Sequence, residues 1–175
     1  MLHGELTEID IELYDDENRI INLNDGRKFY LNKELFIVIV EIIPKKDLIN
    51  NFLEIDNNLF LPDSETMFEK GSAYILHNPS QNKVISYGII KSIKGHKIFH
   101  CCGTFLGSGG WPILNLSNGK IIDFHTRGCN NYNHEINLGI FLKIPIIKFI
   151  DMNKDYISLS GLHSSGYWLV ILFIL

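Results

Sequence analysis

The stretch GTFLGSGGWPILNLSNGKIIDFHTRG, Gly103 to Gly128, carries the strongest structural signal in this chain of 175 residues. Its first ten residues include four glycines, which indicates a loop whose backbone needs dihedral angles or close approaches that other residues resist. Two apolar runs, 113–116 and 120–124, then flank Ser117-Asn118-Gly119, a pattern typical of a β-hairpin with a tight turn. The stretch predicts a glycine-rich loop followed directly by two paired strands.

Composition extends the prediction of strands to the rest of the chain. There are 28 isoleucines and a single alanine, and β-branched residues favour a pleated sheet whereas alanine favours helices. Residues 35–43, LFIVIVEII, predict a strand that is buried on both faces. Further predicted strands lie at 5–13, 19–23, 27–31, 72–77, 83–93, 97–101 and 138–142. About ten short strands predict an all-β barrel or sandwich.

The other connections give three local predictions. Asn24-Asp25-Gly26 predicts a hairpin between the strands at 19–23 and 27–31. Residues 45–53 and 145–150 each predict a short helix, whereas the polar stretch 54–70 predicts a loop.

Charge and cysteine content exclude several classes of protein. The net charge is -4 and no stretch concentrates basic residues, so nucleic-acid binding is not indicated. Cys101, Cys102 and Cys129 are an odd number in a chain without a signal-peptide pattern, which favours free thiols and a soluble, intracellular protein. No spacing of cysteines or histidines is typical of a metal site. No metal and no cofactor are predicted.

The last residues, 151–175, form a tail whose end, Tyr167 to Leu175, is entirely apolar. As a helix this end would cover less than half of a ~30 Å hydrocarbon core. Three interpretations stay open: a buried last strand or helix, a chain end produced by truncation or read-through, and a tail that tethers the protein to a membrane.

The glycine-rich loop and its hairpin resemble the nucleophile loop of the trypsin-like serine peptidases, and the pocket residues are most similar to those of glutamyl endopeptidases. The resemblance covers residues 5–150 and is specific at 103–125. It implies a chymotrypsin-like double β-barrel, with 71–150 forming a nearly complete second barrel. Residues 1–60 would be the remnant of a first barrel that is truncated at its N-terminus, without the strand that carries the catalytic histidine.

The resemblance also implies loss of the catalytic triad. An alignment without gaps places Gly109 at the nucleophile position and Phe36 at the acid position. Triad residues act as a unit, and losing one costs on the order of 10⁴-fold in rate. The first hypothesis is therefore a catalytically inactive peptidase homologue that retains binding of a peptide or protein ligand. Since a partial barrel exposes strand edges, self-association is also expected.

The second hypothesis is an active serine endopeptidase. A shifted alignment makes Ser108 the nucleophile, with Trp111 as an insertion, Glu34 or another acid as the orienting group, and no histidine assigned. The oxyanion loop would comprise Gly107 and Gly109. A nucleophile made of Cys101 or Cys102 with His125 is a further alternative, because a thiolate needs a nearby imidazole.

The resemblance implies that Thr104 and His125 line the substrate pocket. A hydroxyl group and a cationic imidazole would suit the carboxylate of an acidic substrate residue. The alternative is that both residues only pack in the barrel. Asp123 would pair with His125 only if the strand twists, and His77, His96 and His100 are interpreted as surface or packing residues.

Overall fold

The computed structural model describes residues 7–12, 18–23, 26–49, 51–77, 83–105, 108–128, 136–155 and 168–173, with only the backbone described at Glu12 and at 168–173. These residues form two compact units, one built from 1–52 and 149–174 and the other from 53–148. Gly107, Cys129 and parts of the predicted hairpin turn and apolar end lie outside the described residues.

The first unit contains two antiparallel sheets. Strands β1 (Glu8–Glu12) and β2 (Asn18–Asn22) pair with each other. Strand β4 (Ile37–Ile42) lies between β3 (Phe29–Asn32) and the last strand, β11 (Trp168–Phe173). The predicted pairing of 19–23 with 27–31 is wrong, because β2 pairs with β1 and β3 with β4. These pairings let side chains from β1, β2 and β4 share one core, made of Ile11, Ile21, Leu23, Val38, Val40, Ile42 and Ile49.

Strand β4 has the predicted burial on both faces, since five of its six residues are buried and Glu41 is half-buried. The predicted helix at 45–53 is shorter, α1 (Pro44–Asp47), because Leu48 adopts a left-handed conformation (φ 57°) that ends it. Residues 168–173, which belong to the apolar end, pair in antiparallel register with residues 37–42 of β4. The backbone of residues 168–173 therefore forms a strand.

The second unit contains a closed, six-stranded antiparallel barrel. Its strands follow the order β10-β7-β6-β5-β8-β9. They are β5 (Ser72–His77), β6 (Val84–Lys94), β7 (Lys97–His100), β8 (Pro112–Asn115), β9 (Ile121–Gly128) and β10 (Asn137–Phe141). The β8–β9 hairpin is confirmed, and Gly119 has the positive φ (70°) that its turn requires.

The stretch 54–70 is not the loop that its polarity predicts. It contains a 3-10 helix (Asn57–Phe60) and α2 (Ser64–Phe68). The buried Asp56 caps the 3-10 helix by accepting a hydrogen bond from the Asn58 N–H at 3.0 Å, so this polar residue starts a helical turn instead of belonging to a solvent-exposed loop. After the barrel, α3 (Lys143–Met152) carries the chain from the second unit into the first.

No helix within the described ranges combines the length and the apolar character that crossing a bilayer requires.

Candidate functional site

The glycine-rich loop brings Ser108 into the interior of the second unit. The side chain of Ser108 is only 3 % exposed. Its backbone N–H donates to the carbonyl oxygen of Phe105 at 3.0 Å, while the N–H of Phe105 donates to the Ser108 hydroxyl oxygen, also at 3.0 Å. Gly110, with a φ of 85°, donates its N–H to the carbonyl of His125 at 2.7 Å. The first two hydrogen bonds hold the conformation of the loop between Phe105 and Ser108, and the third attaches the loop to strand β9.

The imidazole of His77 lies between two serine hydroxyls. Its Nδ1 is 2.9 Å from the Oγ of Ser108, and its Nε2 is 3.0 Å from the Oγ of Ser86. The ring stacks on Phe105 with a centroid distance of 5.6 Å. His77 is itself 2 % exposed, and burial lowers its pKa from 6.5.

Each ring nitrogen of His77 faces a serine hydroxyl group, and the tautomer of the ring sets which partner donates. In the tautomer with the imidazole proton on Nε2, that N–H donates to the Oγ of Ser86 and Nδ1 accepts the hydroxyl proton of Ser108, whose oxygen also accepts from the Phe105 N–H. In that tautomer the arrangement pairs a serine hydroxyl with a neutral histidine that can accept its proton.

Strand pairing explains how residues 31 positions apart meet. Strands β5 and β8 are antiparallel, with Ile75 opposite Ile113. The last residue of β5, His77, therefore reaches the loop that ends where β8 begins. Ser86 stands diagonally across from His77 on β6, since Val84 is the direct partner of His77. The prediction that His77 is a surface or packing residue did not foresee this contact. The sequence signal for an inward-facing side chain was the position of His77 two residues after Ile75 and four after Ala73 on a strand of alternating pattern.

Two further buried histidines, His100 and His125, lie close together in the barrel. Nε2 of His100 is 3.2 Å from Nδ1 of His125, and neither ring is appreciably exposed. Burial, reinforced by the neighbouring His125, lowers the pKa of His100 to about 3. Burial, reinforced by His77, lowers the pKa of His125 to about 4. Both imidazoles are consequently neutral at pH 7, and Nδ1 of His100 has no hydrogen-bond partner among the residues that the structure describes.

The predicted pocket pair of Thr104 and His125 stays a prediction. Thr104 is half-buried in the glycine-rich loop, and no hydrogen bond links it to His125 among the described residues. Because the pKa of His125 is about 4, its imidazole lacks the positive charge that the resemblance to glutamyl endopeptidases requires at neutral pH. A pocket lined by Thr104 and His125 would therefore be uncharged at neutral pH.

Asp123 is fully buried on β9, and neither of its carboxylate oxygens has a well-formed hydrogen bond with any residue that the structure describes. Burial raises its pKa well above the ordinary 3.8, although the backbone N–H groups of Phe124 and Ile140 oppose part of this effect. A Cβ atom at Gly139 would lie 2.1 Å from Oδ2 of Asp123, so the carboxyl group requires a glycine beside it. Asp123 does not pair with His125, whose Nδ1 faces His100 instead.

The cysteines do not form the alternative nucleophile. Burial, with Cys101 and Asp123 nearby, raises the pKa of Cys102 to about 12, and a protonated thiol is a poor nucleophile. Cys101 lies against strand β6, where its Sγ accepts from the Ile89 N–H at 3.3 Å. Hydrogen bonds connect neither sulfur to His125 in the described part of the chain.

The residues predicted around the acid position lie in a turn of the first unit. Phe36 is exposed, with a φ of 53°, in the turn between β3 and β4. Glu34 lies in the same turn, and its N–H donates to Oδ1 of Asn32. The predicted strand at 35–43 therefore begins later than expected, at Ile37, because Asn32 ends β3 and its side chain caps the turn that contains Phe36.

Among the described residues, no group of three or more His, Cys, Asp or Glu side chains has an arrangement that could hold a metal ion.

Comparison with known proteins supports the fold. No protein-family model matches the sequence, and no curated protein matches it. A solved structure of catalytically active tobacco etch virus protease complexed with product matches with a TM-score of 0.50 and 13% identity, over 92% of this chain and 63% of that one. The chain therefore spans less than two thirds of that protease. At this identity the likeness concerns the fold alone. Together with the closed six-stranded barrel, it shows that the chain has the chymotrypsin-like fold of proteases.

Proposed function

We propose that this chain is a trypsin-like peptidase homologue that binds polypeptide and does not hydrolyse it. The observation that carries the proposal is that Ser108 is buried and hydrogen-bonded within its own loop. Its side chain is buried, and its backbone N–H is already bonded to the Phe105 carbonyl. A serine nucleophile needs access to its substrate and free N–H donors for the oxyanion that it creates. Ser108 has neither in this arrangement.

The hydrogen bonds of Ser108 give it a structural role in this proposal. Its hydroxyl connects the backbone of the glycine-rich loop to His77 on β5, and His77 connects in turn to Ser86 on β6. Buried polar groups cost free energy unless they are paired, and these contacts pair the side chains of Ser108 and His77. The network thereby holds the loop against the barrel.

The fold and its neutral interior support polypeptide binding. The tobacco etch virus protease of similar fold is complexed with product, and we expect the ligand of this chain to be a polypeptide by analogy. In this chain, the low pKa of His125 removes the positive charge that would favour an acidic side chain. We expect Thr104 and His125, if they contact the ligand, to favour an uncharged side chain at neutral pH.

An active serine endopeptidase is the second candidate, and the distance of 2.9 Å between Ser108 Oγ and His77 Nδ1 favours it. His77 would act as the general base that the sequence did not identify, and Ser86 would orient its ring. Substrate binding would then have to release both Ser108–Phe105 hydrogen bonds.

Labelling of the folded protein with a fluorophosphonate probe separates the two candidates. We expect no labelling of the wild-type protein. Labelling that is lost in both Ser108→Ala and His77→Ala, and kept in Ser92→Ala, would establish the active dyad and overturn the first proposal. Circular dichroism of each variant verifies that it is folded.

Peptide binding is tested separately by fluorescence anisotropy with extended peptides that differ only in one central residue, Gln or Glu. Tighter binding of the Gln peptide at pH 7, weakened by Thr104→Val, is the expected result. Tighter binding of the Glu peptide would show that a positive charge remains in the pocket.

A further inference from the structure

The turn of the β8–β9 hairpin contains Asn118-Gly119, the one Asn-Gly pair in the sequence. Asn118 is exposed, and Gly119 follows it with a positive φ of 70°. Asparagine is a thermolabile residue, and a following glycine has no side chain that would shield its backbone nitrogen. The pair therefore has the sequence of a deamidation site, and its contacts decide whether the reaction can proceed.

Deamidation has a strict geometric requirement. The backbone nitrogen of Gly119 forms a bond with Cγ of Asn118, the bond between Cγ and Nδ2 breaks, and ammonia leaves with the proton of the backbone nitrogen. Water then opens the resulting succinimide ring by adding to one of its carbonyl groups as a C–N bond breaks, which leaves aspartate or isoaspartate. The first step needs the backbone nitrogen and Cγ to approach to about 3 to 3.5 Å, with the side-chain amide free to turn.

Two hydrogen bonds hold the amide group of Asn118 at both of its ends. Its Nδ2 donates to Oδ2 of Asp56 at 2.9 Å, and its Oδ1 accepts from the Lys120 N–H at 3.0 Å. Asp56 is buried, and hydrogen bonds to a charged group are among the stronger ones in proteins. The amide group therefore cannot turn toward the backbone of Gly119 without leaving a buried carboxylate short of a donor.

The nitrogen that would attack is occupied as well. The N–H of Gly119 donates to the carbonyl oxygen of Asn115 at 2.8 Å. The side chain of Asn115 is itself held by Asp56, because its Nδ2 donates to Oδ2 of that carboxylate at 2.8 Å. The other oxygen of Asp56, Oδ1, accepts from the Asn58 N–H. One buried carboxylate thus holds both the amide that would be attacked and the turn that carries the attacking nitrogen.

The product of the reaction does not fit this arrangement. Deamidation replaces the Nδ2 donor of Asn118 with an oxygen, so a second carboxylate would face Asp56 across what is now a hydrogen bond of 2.9 Å. Two carboxylates at such a distance repel each other, and the buried one loses a donor. Isoaspartate would also add a methylene group to the backbone of the turn.

We infer that Asn118 is a deamidation site that Asp56 keeps closed in the folded protein, and that reaction after the turn opens prevents the turn from returning to Asp56. Deamidation is then a one-way modification that records the opening of the β8–β9 turn. The inference involves neither Ser108 nor His77, so it is independent of the proposed function.

The first test compares the folded and the unfolded wild-type protein. The full-length chain is incubated in mildly alkaline buffer with and without urea, and mass spectrometry of the tryptic peptide 98–120 follows the gain of about 1 Da at Asn118. We expect deamidation at least about tenfold slower in the folded protein, because the reaction needs the turn to open. Equal rates in the two states would overturn the inference.

Asp56→Asn tests the carboxylate itself. Its side-chain oxygen can still accept from the Asn58 N–H, while its amide group faces the donors of Asn115 and Asn118 and cannot accept from them. We expect the folded variant to deamidate at Asn118 at least about tenfold faster than the folded wild-type protein. Glu54→Gln is the matched control, since it removes an exposed carboxylate two residues away that makes no hydrogen bond with Asn118, and it should leave the rate unchanged. An Asp56→Asn rate no higher than that of Glu54→Gln would contradict the role of Asp56.

A measurement without variants keeps the test valid if circular dichroism shows that Asp56→Asn is unfolded. In the wild-type protein, urea concentrations below the unfolding transition should raise the deamidation rate in proportion to the hydrogen-exchange rate of the Gly119 amide, which reports opening of the turn. Deamidation that does not follow this exchange rate would overturn the inference.

The effect of the product is tested with Asn118→Asp. We expect hydrogen exchange at the Gly119 amide to be at least about tenfold faster than in the wild-type protein, because the turn no longer returns to Asp56. Asn57→Asp makes the same change at an exposed position beside Asp56 and should leave this exchange unchanged. Exchange in Asn118→Asp as slow as in the wild-type protein would show that the turn accepts the product.

Discussion

Two buried carboxyl groups, Asp47 in the first unit and Asp123 in the second, have opposite surroundings. In the first unit, the guanidinium of Arg27 forms two hydrogen bonds with the carboxylate of Asp47, at 2.6 and 2.8 Å, and further bonds with the carbonyls of Asn22 and Glu41. Asp47 also accepts from the Ile43 N–H. In the second unit, Asp123 is buried and makes no well-formed hydrogen bond within the described part of the chain.

The pKa directions of the two carboxyl groups differ accordingly. Burial acts to raise the pKa of both, but hydrogen bonds from Arg27 and Ile43, with the charge of Arg27, outweigh it at Asp47 and lower that pKa. At Asp123 burial prevails and the pKa rises well above its ordinary value. Hydrogen bonds offset the free energy that a buried carboxyl group loses when it leaves water, whereas a buried carboxyl group without such bonds is destabilising and is held in its neutral form. The second unit thus carries unsatisfied polar groups in the same barrel as its serine–histidine network, and such a combination is typical of functional sites.

Replacing Asp47 with Ala should have the largest effect, because it leaves the guanidinium of Arg27 buried without its partner. We expect a loss of about 3 to 5 kcal/mol in the free energy of unfolding of the first unit. Urea unfolding followed by residue-resolved NMR measures this loss for each unit. Glu34→Ala, in an exposed turn of the same unit, is the control and should change little. An equal loss in both variants would contradict the structural role of the pair.

Gly139→Ala tests the space beside Asp123. The added Cβ would lie 2.1 Å from the carboxylate, and such overpacking costs about 2 kcal/mol. Gly103→Ala is the matched control, since its nearest neighbour would be 3.7 Å away. The double variant Gly139→Ala/Asp123→Ala should recover most of the loss in urea unfolding. A double variant no more stable than Gly139→Ala alone would show that Asp123 is not the obstacle.

The buried histidines predict a loss of stability in mild acid. The pKa of His100 in the folded chain is about 3 against an ordinary value of 6.5, so between pH 6.5 and pH 3 the unfolded chain binds a proton at this histidine and the folded chain does not. The free energy of unfolding therefore decreases as the pH is lowered through this range, by about 2 kcal/mol between pH 7 and pH 5 for one such histidine.

His100→Gln should remove this share of the pH dependence. Urea unfolding of the second unit at pH 7 and pH 5 measures it, with His96→Gln in the β6–β7 turn as the control. If His100→Gln loses as much stability as the wild-type protein on acidification, His100 is not buried as a neutral imidazole.

Asp123→Asn has the smallest expected effect and the opposite sign. Since the folded pKa of Asp123 is raised, the unfolded chain releases its proton above about pH 4 while the folded chain retains it, and stability falls as pH rises. Removing the ionisable group should stabilise the second unit by about 1 kcal/mol or more at pH 7. Asp63→Asn, at an exposed position, is the control in the same unfolding assay. A destabilised Asp123→Asn variant would indicate that the carboxyl group has a partner.

Local sequence was a reliable guide wherever neighbouring residues carry the information. The Asn-Gly turn predicted the β8–β9 hairpin, because only a few residue types tolerate the positive φ of Gly119. The unbroken apolar run predicted β4, because a strand covered on both faces has no polar side. The turn signal at Asp25-Gly26 predicted the wrong strand pairing. There β2 pairs with β1 and β3 with β4, and the side chains of Ile11, Ile21 and Val38 lie in one buried core.

The candidate site depended on contacts between distant residues. The glycine-rich loop and Ser108 were identifiable from the sequence, as was the resemblance to a peptidase. The partnership of Ser108 with His77 was not, because it arises only when β5 pairs with both β6 and β8 in a closed barrel. Burial, too, is a property of the folded chain, and it lowers the pKa of His125 to about 4 and raises the pKa of Asp123. Turns and strands follow from local conformational preferences, whereas the protonation and pairing of side chains follow from the surroundings that the whole fold provides.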